Sequence, residues 1–424
     1  MSESKDIIPL LRPVPPAAPW ADPFFTVGIT GTNGKTSTTL LIAEVMRASG
    51  APVAVETTIG ASREAGTFTA RSESRFFDRM RAAADRGISR YAIEVTSEAL
   101  AAGWAKRWRF DLGVFTNLTQ DHLDAHGSFE HYLASKAQLF VHLGPRRHAV
   151  LNAADPASML LQQVIPEDVV RFWYGSRSRG EFVTTPDLAI RDLKLTLDGT
   201  EIQLAPSPSA TLLGGTLKTR LIGSVFAENS LAAACVGLAM KIDPECICNG
   251  ISNLNRVPGR FEVVAREPVC IVDYAHTPDA LERTCDAARK LAEALSDARV
   301  IVVFGAGGNR DPKKRGPMGE AVAKRADLAF VTNDNPRLEA PRDIANAIMV
   351  GCRKSPRCRV TVELDRKRAI EKAVQEARPR DIIVICGKGH ETGQEIGGET
   401  LPFDDADVIR ELLGLAEPCE IRDQ

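Results

Sequence analysis

The sequence predicts an α/β protein: a central parallel-sheet domain of the phosphate-loop type with an antiparallel insertion, then a Rossmann-like C-terminal α/β domain. Three observations predict it. An apolar run, FFTVGIT, leads straight into a glycine-containing turn and a helical pattern. Strand-like and helix-like segments alternate after it, as parallel strands joined by crossover helices require. A second series of the same kind begins near Arg256.

Each element has a local reason. Phe24 to Thr30 is apolar and β-branched and stops at Gly31, so it reads as a buried strand. TSTTLLIAEVMRASG carries a helical pattern closed by Gly50. Further strands are expected at Val53 to Val55, Tyr91 to Val95, Leu112 to Thr116 and Ala149 to Asn152. Between residues 168 and 225, DLAIRDLKLTLDGTEIQL alternates apolar and polar residues around an Asp-Gly turn, which predicts antiparallel hairpins. The helix ENSLAAACVGLAM follows. The second series has strands at Cys270 to Asp273, Val300 to Phe304, Leu328 to Thr332, Arg359 to Val362 and Asp381 to Cys386. Helices such as ALERTCDAARKLAEAL lie between them. The expected organisation is an irregular, proline-rich arm over 1–23, a central domain over 24–254 and a C-terminal domain over 255–424.

Composition narrows the function classes. At 424 residues, 44% hydrophobic and 25% charged, the chain can bury a large core without disulfide or metal staples. A formal net charge of -2 gives no basic excess for nucleic acid. The nine cysteines include no CxxC pair, and several sit in apolar runs. They read as reduced core thiols of a cytoplasmic protein. Neither a secretory signal nor a membrane span is legible.

Thr30 to Thr36 reads TGTNGKT. Glycines let the backbone turn its N–H groups inward, which suits phosphate oxygens. Lys35 adds positive charge near the β and γ phosphates, and the Thr36 hydroxyl suits Mg²⁺. Ile29 stands where the strict phosphate-loop pattern has its first glycine, but strand and helix flank the loop as the motif requires.

In this form the loop resembles those of Mur ligases and folylpolyglutamate synthetases. From residue 24 to about 410 the chain resembles the MurE branch, the UDP-N-acetylmuramoyl-dipeptide:amino-acid ligases. The segment FDLGVFTNLTQDHLDAHGSFEHYLASKAQLF carries Asn117, Thr119, Asp121, His122 and Lys136 at that branch's patterned positions. The resemblance implies that Glu94, in YAIEVTSEAL, and His122 bind a second Mg²⁺. It also implies that CO₂ converts Lys136 to a carbamate beside the metal. Thr36, Glu94, His122 and Lys136 are thus the expected metal set. Gly31, Thr32, Asn33, Gly34, Lys35, Thr36 and Asn117 are the expected ATP-binding residues of this half.

The second half matches too. By resemblance Asn229, Arg260 and Asp273 help to hold ATP, with His276 a candidate general base beside Lys35, Lys136 and His122 as catalytic residues. TNDNPRLEAP supplies Asp334, Asn335 and Arg337, CGKGHE supplies Gly387 and Glu391, and FGAGGNRDPKKRGPMG supplies Arg310. DNPR marks the diaminopimelate-adding branch. Arg337 can hold a carboxylate through its planar fork, and Glu391 a distal ammonium. The alternative for Arg337 is a loop arginine that caps a helix or pairs with Glu339.

Three departures fall on the acceptor side. The phosphate loop begins near residue 30, Glu98 replaces the family's histidine in TSEAL, and ARSES (70–74) replaces TTPES. The expected activity is an ATP-dependent amide ligase. It would activate a carboxylate as an acyl-phosphate and couple it to an amino acid, meso-diaminopimelate or a related diamino acid, with an acceptor other than a UDP-linked one. Two other readings stay open: UDP-MurNAc-tripeptide synthesis, and an ATP-binding scaffold subunit without activity. A monomer or weak oligomer is expected.

Overall fold

In the computed structural model, which describes residues 24–62, 68–69, 76–119, 128–144, 147–295 and 298–416, Phe25–Thr30 forms a central strand, β1. It pairs in parallel with Arg90–Glu94 on one side and Leu112–Phe115 on the other. In chain order the first sheet contains β1, β2 (Val53–Thr57), β3 (Gly60–Ser62), β4 (Phe68–Thr69), β5 (Arg90–Glu94) and β6 (Leu112–Phe115). It continues with β7 (His148–Asn152), β8 (Val170–Ser176), β9 (Leu188–Thr196), β10 (Gly199–Leu204) and β11 (Thr216–Thr219). Their spatial order is β11-β10-β9-β8-β7-β6-β1-β5-β2-β3-β4.

β1 and its neighbours are buried on both faces, which explains their unbroken apolar runs. Phe110, Phe115, Tyr132, Leu139 and Phe140 belong to the core on one side. The helix Lys35–Ala48 leaves the end of β1 and buries ten of its residues, from Thr36 to Met46. Burying a helix that starts at the loop fixes where the loop sits.

The hairpin expectation for residues 168–225 holds only in part. β8 pairs with β7 in parallel, and β9 begins parallel to β8 through Tyr174, Gly175 and Ser176. The expected hairpins lie after that start: β9 and β10 are hydrogen-bonded neighbours joined across the Leu197–Asp198 turn, and β10 pairs with β11 in antiparallel register. The reason lies at the start of β9: Leu188 and Ala189 are both buried, and apolar–polar alternation sets in only after them. The periodic half carried the pattern, and the buried half extended the parallel sheet.

The second sheet contains β12 (Glu262–Arg266), β13 (Val269–Asp273), β14 (Val300–Phe304), β15 (Leu328–Val331), β16 (Arg359–Val362) and β17 (Ile382–Cys386), in the order β12-β13-β17-β14-β15-β16. All are parallel except β12, an antiparallel edge strand with a register shift between Val263 and Ala265. A small separate hairpin pairs β18 (Gly393–Ile396) with β19 (Glu399–Pro402). Sequence periodicity missed both: β12 is only partly buried, and the hairpin pairs a half-buried β18 with an exposed β19.

The chain clusters into two compact units. One comprises 1–194, 200–220 and 225–255; the other comprises 195–199, 221–224 and 256–424. Among the described residues no helix is long and apolar enough to cross a membrane.

Candidate active site

The phosphate loop is held by backbone geometry and a small set of polar side chains. Gly31 has φ 149° and Gly34 has φ 83°, both in the region that favours glycine. A Cβ on Gly34 would also sit 2.7 Å from Asn229 Oδ1. Gly34 precedes the helix Lys35–Ala48, and no side chain caps that helix. Its leading N–H groups therefore remain suited to an anion. Asn117 clamps the loop from β6: its Oδ1 accepts from Asn33 N (3.0 Å), and its Nδ2 donates to Asn33 O (2.9 Å). Thr116 Oγ1 donates to the same carbonyl at 2.7 Å. The Thr32 hydroxyl receives Thr119 N at 3.0 Å and lies 3.1 Å from the Tyr132 hydroxyl.

Four of the expected chemical groups meet around this loop. Lys35 Nζ folds back onto Thr32 O at 3.0 Å. Next to it, the Thr36 hydroxyl donates to Glu94 Oε2 at 2.8 Å. Thr58, which the sequence reading did not single out, also donates to Glu94, from its N (3.0 Å) and its hydroxyl (3.1–3.2 Å). Lys136 is buried, donates to Gly31 O at 2.8 Å and lies 4.3 Å over the Tyr132 ring. Asn229 is buried at the edge of the loop, and its Nδ2 has no hydrogen-bond partner among the described residues. An orphaned amide beside a phosphate loop is the mark of a ligand group that would complete it. The hydroxyl of Thr36 and the carboxylate of Glu94 are the hard oxygen donors that Mg²⁺ prefers. Asp121 and His122 lie outside the described residues, as do the arm and residues 70–74. Among the described residues no group of three His, Cys, Asp or Glu is arranged to hold a metal.

The second unit gathers the remaining residues around the ends of β13, β15 and β17. Burial pushes the Asp273 carboxyl above its ordinary range, against the Thr284 hydroxyl, Arg260 and two N–H groups. Its oxygens accept from Phe261 N (2.7 Å), Ala275 N (3.0 Å) and Thr284 Oγ1 (2.8 Å). Asp273 therefore organises the turn that presents its neighbours. The Arg260 guanidinium stacks 4.2 Å over Tyr274, and its buried Nε has no hydrogen-bond partner among the described residues. His276 Nδ1 lies 2.8 Å from Tyr274 O. A carbonyl can only accept, so Nδ1 carries the proton and Nε2 is the basic nitrogen of the neutral ring.

Asp334 and Asn335 leave β15 toward the residues that follow β17. Burial raises the Asp334 carboxyl, while Arg366 and Lys388 oppose the rise. A Cβ on Gly387, which has φ 117°, would lie 2.9 Å from Asp334 Oδ2, so glycine there admits the carboxylate. Asn335 Nδ2 donates to Glu391 Oε2 at 2.9 Å. Arg337 has φ 54° and donates through Nη1 to Gly308 O at 2.9 Å, while its Nε pairs with Glu395 at 2.7 Å. Glu339 pairs with Arg315 instead, at 2.8 Å, so the Glu339 alternative for Arg337 is not what forms. Arg310 and Arg337 both approach Gly307: a Cβ built there would lie 3.6 Å from Arg310 Cγ and 3.1 Å from Arg337 Nη1.

Beneath this group lies an ion pair that the sequence did not reveal. Arg366 and Asp405 are fully buried and joined twice, at 2.8 and 2.7 Å. Arg366 also donates to Asn333 O (3.2 Å) and Cys386 O (2.9 Å), tying the ends of β15 and β17 together. A pair 39 residues apart has no local signature.

Comparisons with known proteins show the family. Residues 29–237 match the Mur ligase middle domain, and 259–389 the Mur ligase, glutamate ligase domain. The chain is 41% identical to a UDP-N-acetylmuramoyl-L-alanyl-D-glutamate--2,6-diaminopimelate ligase from Solibacter usitatus, over 91% of this chain and 76% of that one. The ligase of the same name from Geobacillus kaustophilus is 38% identical, over 91% and 78%. A solved structure of a 2,6-diaminopimelate ligase of this kind superposes with a TM-score of 0.64 at 31% identity, covering 92% of this chain and 78% of that one. Mycobacterium tuberculosis folylpolyglutamate synthase complexed with ADP shares the fold at 18% identity and TM-score 0.65, covering 87% and 89%. Similarity of this extent, together with a phosphate loop whose threonine meets a buried glutamate, leads to one conclusion: the chain belongs to the Mur ligase family and is an ATP-dependent amide ligase.

Proposed function

We propose that this ligase couples a diamino dicarboxylic acid of the meso-diaminopimelate kind to a carboxylate acceptor. The observation that carries the amino-acid assignment is that one short segment, 334–337, supplies Asp334, Asn335 and Arg337, with Asn335 hydrogen-bonded to Glu391. One guanidinium and two carboxylates suit a substrate with a carboxylate and ammonium groups to spare. Binding that substrate requires Arg337 to exchange Glu395, a partly exposed partner, for the incoming carboxylate.

The chemistry follows from the loop. The acceptor carboxylate attacks the γ-phosphorus of ATP; the bond to the bridging oxygen breaks and ADP leaves. The amine, having lost a proton, attacks the acyl carbon, and phosphate leaves with the oxygen it received. Lys35 follows the charge on the transferring group, and the loop N–H groups orient it. Thr36, Glu94 and, by family pattern, His122 and Lys136 would hold two Mg²⁺ ions, which offset triphosphate charge when bound. His276 Nε2 is the candidate proton acceptor for the amine.

Two further assignments belong to this reading. CO₂ adds to the neutral amine of Lys136, forming an N–C bond and releasing one proton, and gives an anion where a cation stood. Its burial beside Gly31 O supports a role at the loop. Glu98 lies in the first turn of the helix Ser97–Ala101, beside the Ser97 hydroxyl that donates to it at 3.3 Å. A carboxylate there repels an anionic acceptor group, which favours an acceptor other than the UDP-muramoyl peptide named for the relatives. A cytoplasmic enzyme acting on small or carrier-bound substrates fits these features.

The test is phosphate release from ATP with meso-diaminopimelate, screened against candidate carboxylates, with UDP-MurNAc-L-Ala-D-Glu as one arm. Full turnover with that nucleotide would reject the acceptor proposal. Phosphate release that no amino acid stimulates would reject the amino-acid assignment.

A further inference from the structure

We infer that Lys388 is a positioning residue for amino-acid recognition: it fixes the orientation of Asn335 and Glu391 and thereby the choice of amino acid. The inference rests on the amino-acid site proposed above. Lys388 follows β17 and is fully buried. Its Nζ lies 3.1 Å from Asn335 Oδ1, 3.1 Å from Glu391 Oε2 and 2.5 Å from Gly393 O. Three acceptors require three donors, the full complement of an ammonium group. The three partners come from the turn after β15, the turn after β17 and the start of the β18–β19 hairpin. One cation thus joins side chains and a carbonyl from three segments, two of which the backbone also ties together where Arg337 N donates to Glu395 O and Gly397 N to Arg337 O.

The cation dictates how Asn335 faces. Asn335 Oδ1 accepts from Lys388 and from Glu395 N at 3.0 Å, so the amide oxygen points inward. A reversed amide would set its NH₂ against the ammonium. Nδ2 is therefore turned to Glu391, and its second N–H is the donor offered to a ligand. Glu391 Oε2 takes both Asn335 and Lys388, while Oε1 accepts no hydrogen bond among the described residues. The result is one fixed donor beside one fixed anionic acceptor, the complement of a carboxylate and an ammonium on one molecule. The charges agree. Asp334 and Glu391 supply two negative charges, Lys388 cancels one, and the Arg366–Asp405 and Arg337–Glu395 pairs are each neutral. The group is one positive charge short of neutrality, which an incoming ammonium provides. Without Lys388 the amide is free to flip and Glu391 to swing, so discrimination between distal groups is lost.

The test uses the full chain with saturating Mg·ADP and calorimetric Kd values for meso-diaminopimelate and L-lysine, alongside the Kd for ADP. Lys388→Met should weaken meso-diaminopimelate by about tenfold or more, the range for leaving buried polar groups unsatisfied. It should also narrow its preference over L-lysine and leave the ADP Kd unchanged. An unchanged amino-acid Kd, or equal weakening of ADP and amino acid, overturns the inference. In an Asn335→Ala background Lys388→Met should add less than about threefold, because the two act as one unit; a full further tenfold would mean a merely structural role and overturn it. If Lys388→Met does not fold, Lys388→Arg keeps the charge, but its planar fork cannot meet three acceptors around one point. A folded arginine variant with wild-type affinity for diaminopimelate overturns the inference equally. Asn335→Ala alone separates the two levels. If it leaves the amino-acid Kd unchanged, the site reading itself fails; if it weakens binding while Lys388→Met does not, only the role of Lys388 fails.

Discussion

The phosphate loop and the amino-acid cluster solve the same problem, holding a charged small molecule, by opposite means. In the loop, seven consecutive residues supply N–H groups, glycine conformations and Lys35, and neighbouring strands merely brace them through Asn117, Thr116 and Glu94. In the cluster the backbone contributes little. Asp334, Asn335, Arg337, Gly387, Lys388 and Glu391 come from two segments about fifty residues apart, and Arg366 and Asp405 tie them from below. A site built from backbone tolerates neighbours of many kinds but few changes to its own residues. A site built from side chains depends on remote charges whose loss shifts specificity first and chemistry second.

Substitutions can break or sharpen this contrast. The largest effect is expected for Lys35→Ala, which should lower amino-acid-dependent phosphate release by about 10³-fold or more while melting as wild type, since a cation on the transferring phosphoryl group is worth that much. Full turnover would remove the loop from the mechanism. Next comes Glu94→Gln: it keeps an acceptor for Thr36 and Thr58 but loses the charge. Turnover should fall by about 10²-fold and the Mg²⁺ required for half-maximal rate should rise; an unchanged Mg²⁺ titration would exclude Glu94 from the metal. Arg337→Ala should weaken meso-diaminopimelate by about 10- to 100-fold with ATP unaffected, because a partly buried charge-assisted contact is lost on one side only. Equal losses for both ligands would deny Arg337 its role.

The smallest effect concerns stability and runs in the opposite direction. Burial raises the Asp334 carboxyl above its ordinary value of 3.8, so the folded state holds that proton more tightly than the unfolded chain. A group shifted this way contributes stability that is fully present below its unfolded value and is lost as pH rises through the folded one. At neutral pH, ionised Asp334 therefore costs stability. Asp334→Asn should raise Tm by about 2–4 °C at pH 7, with the gain shrinking in acid, while it weakens amino-acid binding. A variant that melts lower at pH 7 would show that the charge stabilises the cluster.

Much of the fold was legible because its signals are local. β1, β14 and β17 stand within a residue of their predicted bounds, since strands buried on both faces read as unbroken apolar runs. The loop was legible for the same reason: glycines, Lys35 and Thr36 are consecutive. What escaped were features whose partners are remote or whose burial is partial. The parallel start of β9, the edge strand β12 and the β18–β19 hairpin carry weak periodicity. Thr58 as a donor to Glu94, Glu395 as the partner of Arg337 and the Arg366–Asp405 pair have no signature at all.

The sequence by itself determined the α/β class, the place of the phosphate loop and the inventory of charged residues near the amino-acid motifs, because each depends on neighbours in the chain. Only the tertiary structure decided which charge meets which: that Asp273 serves its own turn, that Arg337 takes Glu395 and leaves Glu339 to Arg315, and that Lys388 is spent on Asn335 and Glu391. An ion pair is chosen by distance and burial, and those exist only after distant strands have been brought side by side.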